Sequence, residues 1–567
     1  MALTATICCF VLYWLGYRYY AGYLSRRVFS LSREAATPAH TMRDDVDYLP
    51  TNPYVLFGHH YASITGLSPM LGPAIAVIWG WLPGMLWVVL GALLVGCVHD
   101  FAALVMSMRA RGLSVGAITE GIVGQRAKTL FHLIIFFGIA LAMGVFVSVI
   151  ATLFTPQYYP QAIFPSFALM AIAVGVGTAV YRGGASASRA ALVGFILTLL
   201  AVAASALTDR LSPAWGSRDG WGVVLLAYSF LASVLPVWVL LQPRDFINSL
   251  LLYLGMIAMY GGFAVLRPDF VSPAVVLAPP GAPPLFPFVF VVIACGAVSG
   301  FHGLVSSGTT AKQIDREDDA RMIGYGGMIG ESLLGLMAVL ACTAGFRTAA
   351  DWNTHYASWG AANTLGGKIS VFIEGTARFV SALGVPHALA TAFIAVVVVS
   401  FALTTLDSAT RLLRYNISEI GATLGFEREN RYLTSALAVL VIGFFAFYRV
   451  DGKPVGLALW KLFGTTNQLL AGLTLVVASV YLYQRGRNHW VTSLPAAAMM
   501  ITTISAMVRN LAGFWGARQW LLFALGLALL VLAVGILIEG GRALAAARRV
   551  PRKASLEVFA PAESQTS

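Results

Sequence analysis

Charge is what this chain has little of. Only 11% of its 567 residues are Asp, Glu, Lys or Arg, whereas 58% are hydrophobic, and the mean hydropathy is +0.78. Those values lie outside the soluble globular range and describe a polytopic membrane protein. Long polar stretches are also missing. The longest are the loop from Leu24 to Val46 and the tail beyond Val550, so no soluble output domain is visible. The five cysteines, Cys8, Cys9, Cys97, Cys295 and Cys342, are odd in number, lie in apolar segments and show no C-x-x-C spacing. They indicate neither a disulfide framework nor a paired-cysteine zinc site. The net charge of +12 comes without a basic cluster beside stacking aromatics, which argues against nucleic acid. A bias of Lys and Arg to one membrane face accounts for it instead. Met1 to Leu3 carries no basic side chain, and the apolar run to Tyr20 ends at Arg18, Arg26 and Arg27. This pattern reads as an uncleaved anchor helix.

What the chain does have is apolar runs. A spanning helix needs about 20 apolar residues at a rise of about 1.5 Å each. That criterion places spans near 3–20, 54–81 (broken), 84–108, 130–154, 163–181, 190–208, 221–242, 247–266, 286–308, 324–346, 387–406, 434–450, 456–484, 491–508 and 519–540. The expected fold class is therefore an all-α integral membrane protein, a polytopic helical bundle of about 15 transmembrane helices including broken ones. With the N-terminus outside, about 26 of the 37 basic residues fall on the cytoplasmic side. They include Arg26, Arg27, Arg109, Arg126, Lys312, Arg411, Arg428 and the tail from Arg542 to Lys553. Arg210, Arg218, Arg267 and Arg347 are the exceptions. Residues 368–383 carry a helical apolar stripe of Ile369, Phe372, Ile373, Phe379 and Val380, expected to lie on the membrane surface.

Ionisable side chains inside a membrane are costly, and each is a functional candidate by default. They are His59 and His60 in the broken span, His99 and Asp100 in the third, His302 in the ninth, Glu331 in the tenth and Asp407 at the end of the eleventh. Under this topology all sit in the cytoplasmic half or at its boundary, so they are expected to form one polar layer. Asp407 also has a structural reading, as a cap beside Arg411. Three breaks accompany them. Gly66, Pro69, Gly72 and Pro73 interrupt the second span, Pro236 interrupts S-V-L-P-V-W-V-L-L-Q-P-R-D (233–245), and S-G-F-H-G-L-V-S-S-G-T-T-A-K (299–312) sets hydroxyls beside a histidine. Irregular backbone at membrane depth persists only where protein or a water-filled cavity satisfies it. The spacing G-x-H-x4-[ST]-G occurs at both Gly58–Gly66 and Gly300–Gly308, a short pattern compatible with repeated transporter halves or with chance. Neither a metal centre nor a cofactor is expected, since adjacent His59 and His60 point about 100° apart on a helix. Ser306 or Ser307 stands about one turn from His302, but no oxyanion hole can be named and catalysis is not expected.

Several runs, in order, carry a family likeness: Y-L-P-T-N-P-Y-V-L-F-G-H-H (48–60), G-L-S-P-M-L-G-P (66–73), H-D-F (99–101), L-P-V-W-V-L-L-Q-P-R-D (235–245), C-G-A-V-S-G-F-H-G-L-V-S-S-G-T-T-A-K (295–312), T-T-L-D-S-A-T-R-L-L-R-Y (404–415) and L-F-G-T-T-N-Q-L-L-A (462–471). The chain resembles the carbon starvation protein A (CstA) family from its first helix to about residue 485. The third span departs from that family's pattern, with His99 where the likeness suggests Gln. The resemblance implies an inner-membrane transporter, not an enzyme, related to the amino acid, polyamine and organocation superfamily with its inverted repeats. It divides the chain into an anchor helix and cytoplasmic linker (1–50), a transporter core (51–420), C-terminal transmembrane helices (421–545) and a cytoplasmic tail (546–567). The expected function is proton-coupled uptake of a small carboxylate, pyruvate first, during nutrient limitation; a peptide permease and a membrane nutrient sensor are the alternatives. The expected substrate-side residues are His60, Ser63, Thr65, Gly66, Ser68, Pro69, Pro236, Ser306, Ser307 and Thr309. Proton coupling is expected from His59, Asp100, His302, Glu331 and Asp407. The partners are the small substrate, a proton or other coupling ion and the bilayer, with no nucleic acid.

Overall fold

Length and hydropathy decide this fold, because within a bilayer only a helix satisfies its own backbone donors and acceptors within one segment. The computed structural model describes residues 1–44, 47–208, 211, 216–425, 430–450, 453–454, 456–548 and 558. Arg210 and Arg428, and the tail residues 549–557 and 559–567, lie outside the described residues. Apart from two paired two-residue strands, Arg449–Val450 and Lys453–Pro454, the named elements are helical.

Among the described residues ten helices are long and apolar enough to cross a membrane, and eleven if Pro53–Ile64 and Ser68–Trp79, bent by 50°, count as one span. The expected number was higher, and the four remaining segments show why. The first helix, Ala2–Leu15, runs on through wide π turns to Val28 and carries arginines at 18, 26 and 27, which dilute its apolar run. Arg218–Val234 and Arg431–Phe447 have 17 residues each, short of the roughly 20 that span hydrocarbon. The ninth expected span is two pieces, Leu285–Val292 and Gly300–Gly308, with non-helical backbone between them.

Burial sorts the helices into a core and a belt. In Trp81–Met108, Gln125–Leu153, Glu317–Ala344, His387–Thr423 and Leu462–Gln484, 83–94% of the apolar window is buried within the protein. In Pro160–Tyr181, Ala187–Leu207 and Trp520–Ala547 the share is 28–33%, so their exposed Leu, Ile and Val face lipid. The expected surface helix is Leu365–Ser381. Its apolar stripe, Ile369, Phe372, Ile373, Phe379 and Val380, is buried against Leu241–Leu266, Gly327–Ala344 and His387–Thr423. The same periodicity serves a protein partner as well as a lipid one, and here it serves protein.

The two broken helices meet through glycine. A Cβ at Gly72 would lie 2.5 Å from the carbonyl oxygen of Val292, and one at Gly296 would lie 3.4 Å from Cβ of Pro69. Gly296 also has φ of +87°, a conformation open to glycine and strained for other residues. The repeated G-x-H-x4-[ST]-G spacing falls at unlike places. Gly58–Gly66 leads up to the first break, whereas Gly300–Gly308 follows the second.

Candidate functional site

The first break is built by Thr65, which leaves helical geometry at φ −79° and ψ 98°, and by Pro69 in the first turn of the next helix. That helix, Ser68–Ala76, has no side-chain cap on its N-terminus. Pro69 carries no N–H and the Met70 and Leu71 N–H groups donate to the Leu67 carbonyl at 3.1 and 3.0 Å, so its positive end is presented chiefly by the Ser68 N–H. The helix Gly300–Gly308 differs: Asn467 Oδ1 accepts from the Phe301 N–H at 3.0 Å. A small cavity of about 20 Å³ lies beside the uncapped end, lined by Gly66 and Ser68 from the break, Phe146 from the helix Gln125–Leu153, and Cys295, Thr405 and Asn467. Space on that scale holds about one water. The hydroxyls of Ser68 and Thr405 are buried and have no hydrogen-bond partner. A small hydrogen-bonding ligand would satisfy both.

A chain of ionisable side chains lies next to the cavity. His99 Nδ1 stands 2.7 Å from Asp100 Oδ1, and Asp100 Oδ2 stands 2.9 Å from His302 Nδ1. His302 Nε2 in turn lies 3.0 Å from Glu331 Oε2. All four side chains are fully buried. Wide π turns, Trp87–Gly96 and Arg321–Gly326, precede the helices that carry Asp100 and Glu331, a distortion frequent at functional positions. Hydrogen bonds join the first three groups and Glu331 lies within a small side-chain movement of joining them, so two carboxylates and two imidazoles can hold and pass a proton.

A second network surrounds Arg244, which is buried at the start of the helix Leu241–Leu266. Its guanidinium pairs with Asp245 at 2.8 Å and with Asp407. Tyr228 donates to Asp407 at 2.5 Å, and His59 Nδ1 and Ser63 Oγ lie 3.1 and 3.4 Å from Asp245. Arg411 and Arg414 are buried nearby in sequence but serve the backbone. They donate to the carbonyls of Ala232, Ser233 and Leu235, where the helix Arg218–Val234 ends before Pro236.

The structure thus brings Asp100, His302 and Glu331 together and sets Gly66 and Ser68 on the cavity wall. His60 is buried with Nδ1 2.9 Å from Thr310 Oγ1 and does not line the cavity. His59 and Asp407 belong to the arginine network rather than to the His302 chain. Asp407 caps Arg244, not Arg411. Pro236 lines a separate basic pocket with Arg411, Arg414 and Arg431, so it lies outside the cavity. Ser307 is committed to local structure, donating to Gly303 and accepting from the Val115 N–H. Ser306 and Thr65 are buried with unpartnered hydroxyls, and neither they nor Thr309 line the cavity. Pro69 packs against Gly296. His302 turns Nδ1 to Asp100 and Nε2 to Glu331 rather than to Ser306 or Ser307. Sequence reasoning missed Thr405, Asn467, Cys295, Arg244, Asp245 and Tyr228. The stretches T-T-L-D, T-T-N-Q and Q-P-R-D held most of them in view, without any period to show which side chain faces inward. Among the described residues, Cys295, His302 and Glu331 present ligand atoms within 4.8 Å of one another, an arrangement not expected from their spacing.

Known proteins bear on this site. The peptide transporter CstA of Campylobacter jejuni subsp. jejuni serotype O:2 is 31% identical over 90% of this chain and 80% of its own length. The peptide transporter CstA of Bacillus subtilis (strain 168) is 31% identical over 91% of each chain. The pyruvate/proton symporter BtsT of Escherichia coli (strain K12) is 31% identical over 89% of this chain and 81% of its own. The solved structure of MhsT in complex with L-phenylalanine superposes with a TM-score of 0.48 at 12% identity, covering 87% of this chain, a likeness too slight to assign a fold by. The family described as carbon starvation protein CstA matches residues 1–351 and 343–506, and the chain belongs to that family.

Proposed function

We propose that this multi-pass membrane protein is a secondary active transporter that imports a small carboxylate, pyruvate first, together with protons. The observation that carries this reading is the buried His99–Asp100–His302–Glu331 series beside a cavity that ends on an uncapped helix N-terminus. A carboxylate fits the Ser68 N–H and the positive end of the helix that starts there. The Ser68 and Thr405 hydroxyls would bind the carbonyl or carboxylate oxygens. Glu331 and His302 exchange the coupled proton, and their place beside the cavity lets substrate occupancy bias their protonation. The named activity of BtsT is consistent with a small carboxylate, and the cavity, with room for about one water, would have to widen to admit it. We place the protein in the inner membrane with the N-terminus outside and the C-terminal end cytoplasmic, on the distribution of Lys and Arg.

A peptide permease is the second reading, because the Campylobacter and Bacillus relatives are named peptide transporters. One experiment separates the two. Purified protein in liposomes, given an inward proton gradient, is expected to accumulate labelled pyruvate, and excess dipeptide is expected to leave that uptake unchanged. Accumulation that ignores the gradient would remove proton coupling. Labelled dipeptide accumulation without pyruvate uptake would select the permease.

A further inference from the structure

We propose that Cys295, His302 and Glu331 form a binding site for a thiophilic divalent cation of the zinc or cadmium kind. The three ligand atoms lie within 4.8 Å of one another and the residues are buried. Thiolate, imidazole and carboxylate together are a zinc-type donor set, whereas calcium and magnesium take oxygen ligands.

Orientation supports the assignment. His302 Nδ1 is 2.9 Å from Asp100 Oδ2, and Asp100 is itself held by His99 at 2.7 Å. A carboxylate on one imidazole nitrogen fixes the tautomer and turns the lone pair of the other outward, as in carboxylate–histidine–metal arrangements. That other nitrogen, Nε2, faces Glu331 at 3.0 Å. The approach is close yet poorly directed, so Nε2 and both Glu331 oxygens lack a hydrogen bond. The Cys295 thiol has weak partners, Ser299 and Asn467, each at 3.3 Å, and the Ser68 hydroxyl beside it. Bonds of about 2.0–2.3 Å in a tetrahedral site set neighbouring ligand atoms about 3.3–3.8 Å apart, so closure asks for about an ångström of side-chain movement. Cys295 also lines the central cavity with Ser68, which leaves the fourth position to water or to a ligand in that cavity.

Binding converts the Cys295 thiol to a metal thiolate and releases its proton to solvent. Because Cys295 stands in the second break, His302 in the helix after it and Glu331 on Gly327–Ala344, the ion ties the non-helical break to a core helix. The site shares His302 and Glu331 with the transport reading, but its readout is metal binding, so the two succeed or fail separately.

The test titrates purified full-length protein with Cd²⁺ and follows the ultraviolet thiolate-to-cadmium charge-transfer band. The expected result is saturation at one equivalent, loss of the band in Cys295→Ser, and an affinity about 10–100-fold weaker in Asp100→Asn. A second protein, with Cys8, Cys9, Cys97 and Cys342 all changed to Ser, is expected to keep the full band, so the test does not depend on Cys295→Ser folding. No saturable band in the wild type, an undiminished band in Cys295→Ser, or a lost band in the four-cysteine variant would overturn the site.

Discussion

At the scale of the residue, Arg244 is the side chain on which the most depends. It is buried between Asp245 and Asp407, with Tyr228 on the same carboxylate. Removing one member of a buried ion network leaves the others uncompensated, at a cost of about 3–5 kcal/mol. Arg244→Leu is therefore expected to lower the melting temperature of the detergent-purified protein sharply. The double variant Arg244→Leu/Asp407→Leu is expected to recover part of that loss. Equal melting of wild type and Arg244→Leu would show that the charges are solvated in the working protein. This network was only half legible beforehand. Asp407 stood out because an acidic group at a span's end is rare. Arg244 and Asp245 follow Pro243 in Q-P-R-D, where they read as charges of a loop at the membrane edge. Their inward placement comes from the helix Leu241–Leu266 beginning before them, a boundary set by tertiary packing. His302, Asp100 and Glu331 were legible for the opposite reason: each lies deep within an apolar run, where a charge needs a partner.

At the scale of the element, the breaks matter more than the helices. Gly66 and Pro236 announce interruptions through their own backbone chemistry, and the chain is interrupted at both places, whereas Pro69, Gly72 and Pro73, expected to interrupt the span, lie inside the helix Ser68–Ala76. The break between Leu285–Val292 and Gly300–Gly308 was harder to see, because residues 286–298 are almost wholly apolar and read as continuous helix. What joins the two breaks is the bare surface of Gly72 against the Val292 carbonyl. Gly72→Val would force the two backbones apart, since a Cβ there sits 2.5 Å from that oxygen, and overpacking of this kind costs about 1–3 kcal/mol. The expected outcome is a folded protein with reduced thermal stability and impaired substrate uptake, read by melting and by vesicle transport. Unchanged uptake would mean that the contact between the breaks is dispensable.

At the scale of the molecule, a well-buried set of five long helices surrounds the cavity and the histidine–carboxylate series, and poorly buried helices form the lipid-facing belt. Composition made the membrane class plain, and hydropathy found all ten of the long apolar helices among the described residues. Composition could not separate a 17-residue helix or a broken pair from a complete crossing, because hydropathy averages over the backbone geometry that distinguishes them. The central claim is that substrate and proton movement are coupled through Glu331. The most direct measurement records labelled pyruvate and internal pH together in proteoliposomes bearing wild-type protein or Glu331→Gln. The account predicts that wild-type uptake acidifies the lumen and follows an imposed proton gradient. It predicts that Glu331→Gln exchanges pyruvate across the membrane yet neither acidifies the lumen nor accumulates substrate. Gradient-driven accumulation with acidification equal to wild type in Glu331→Gln would contradict it.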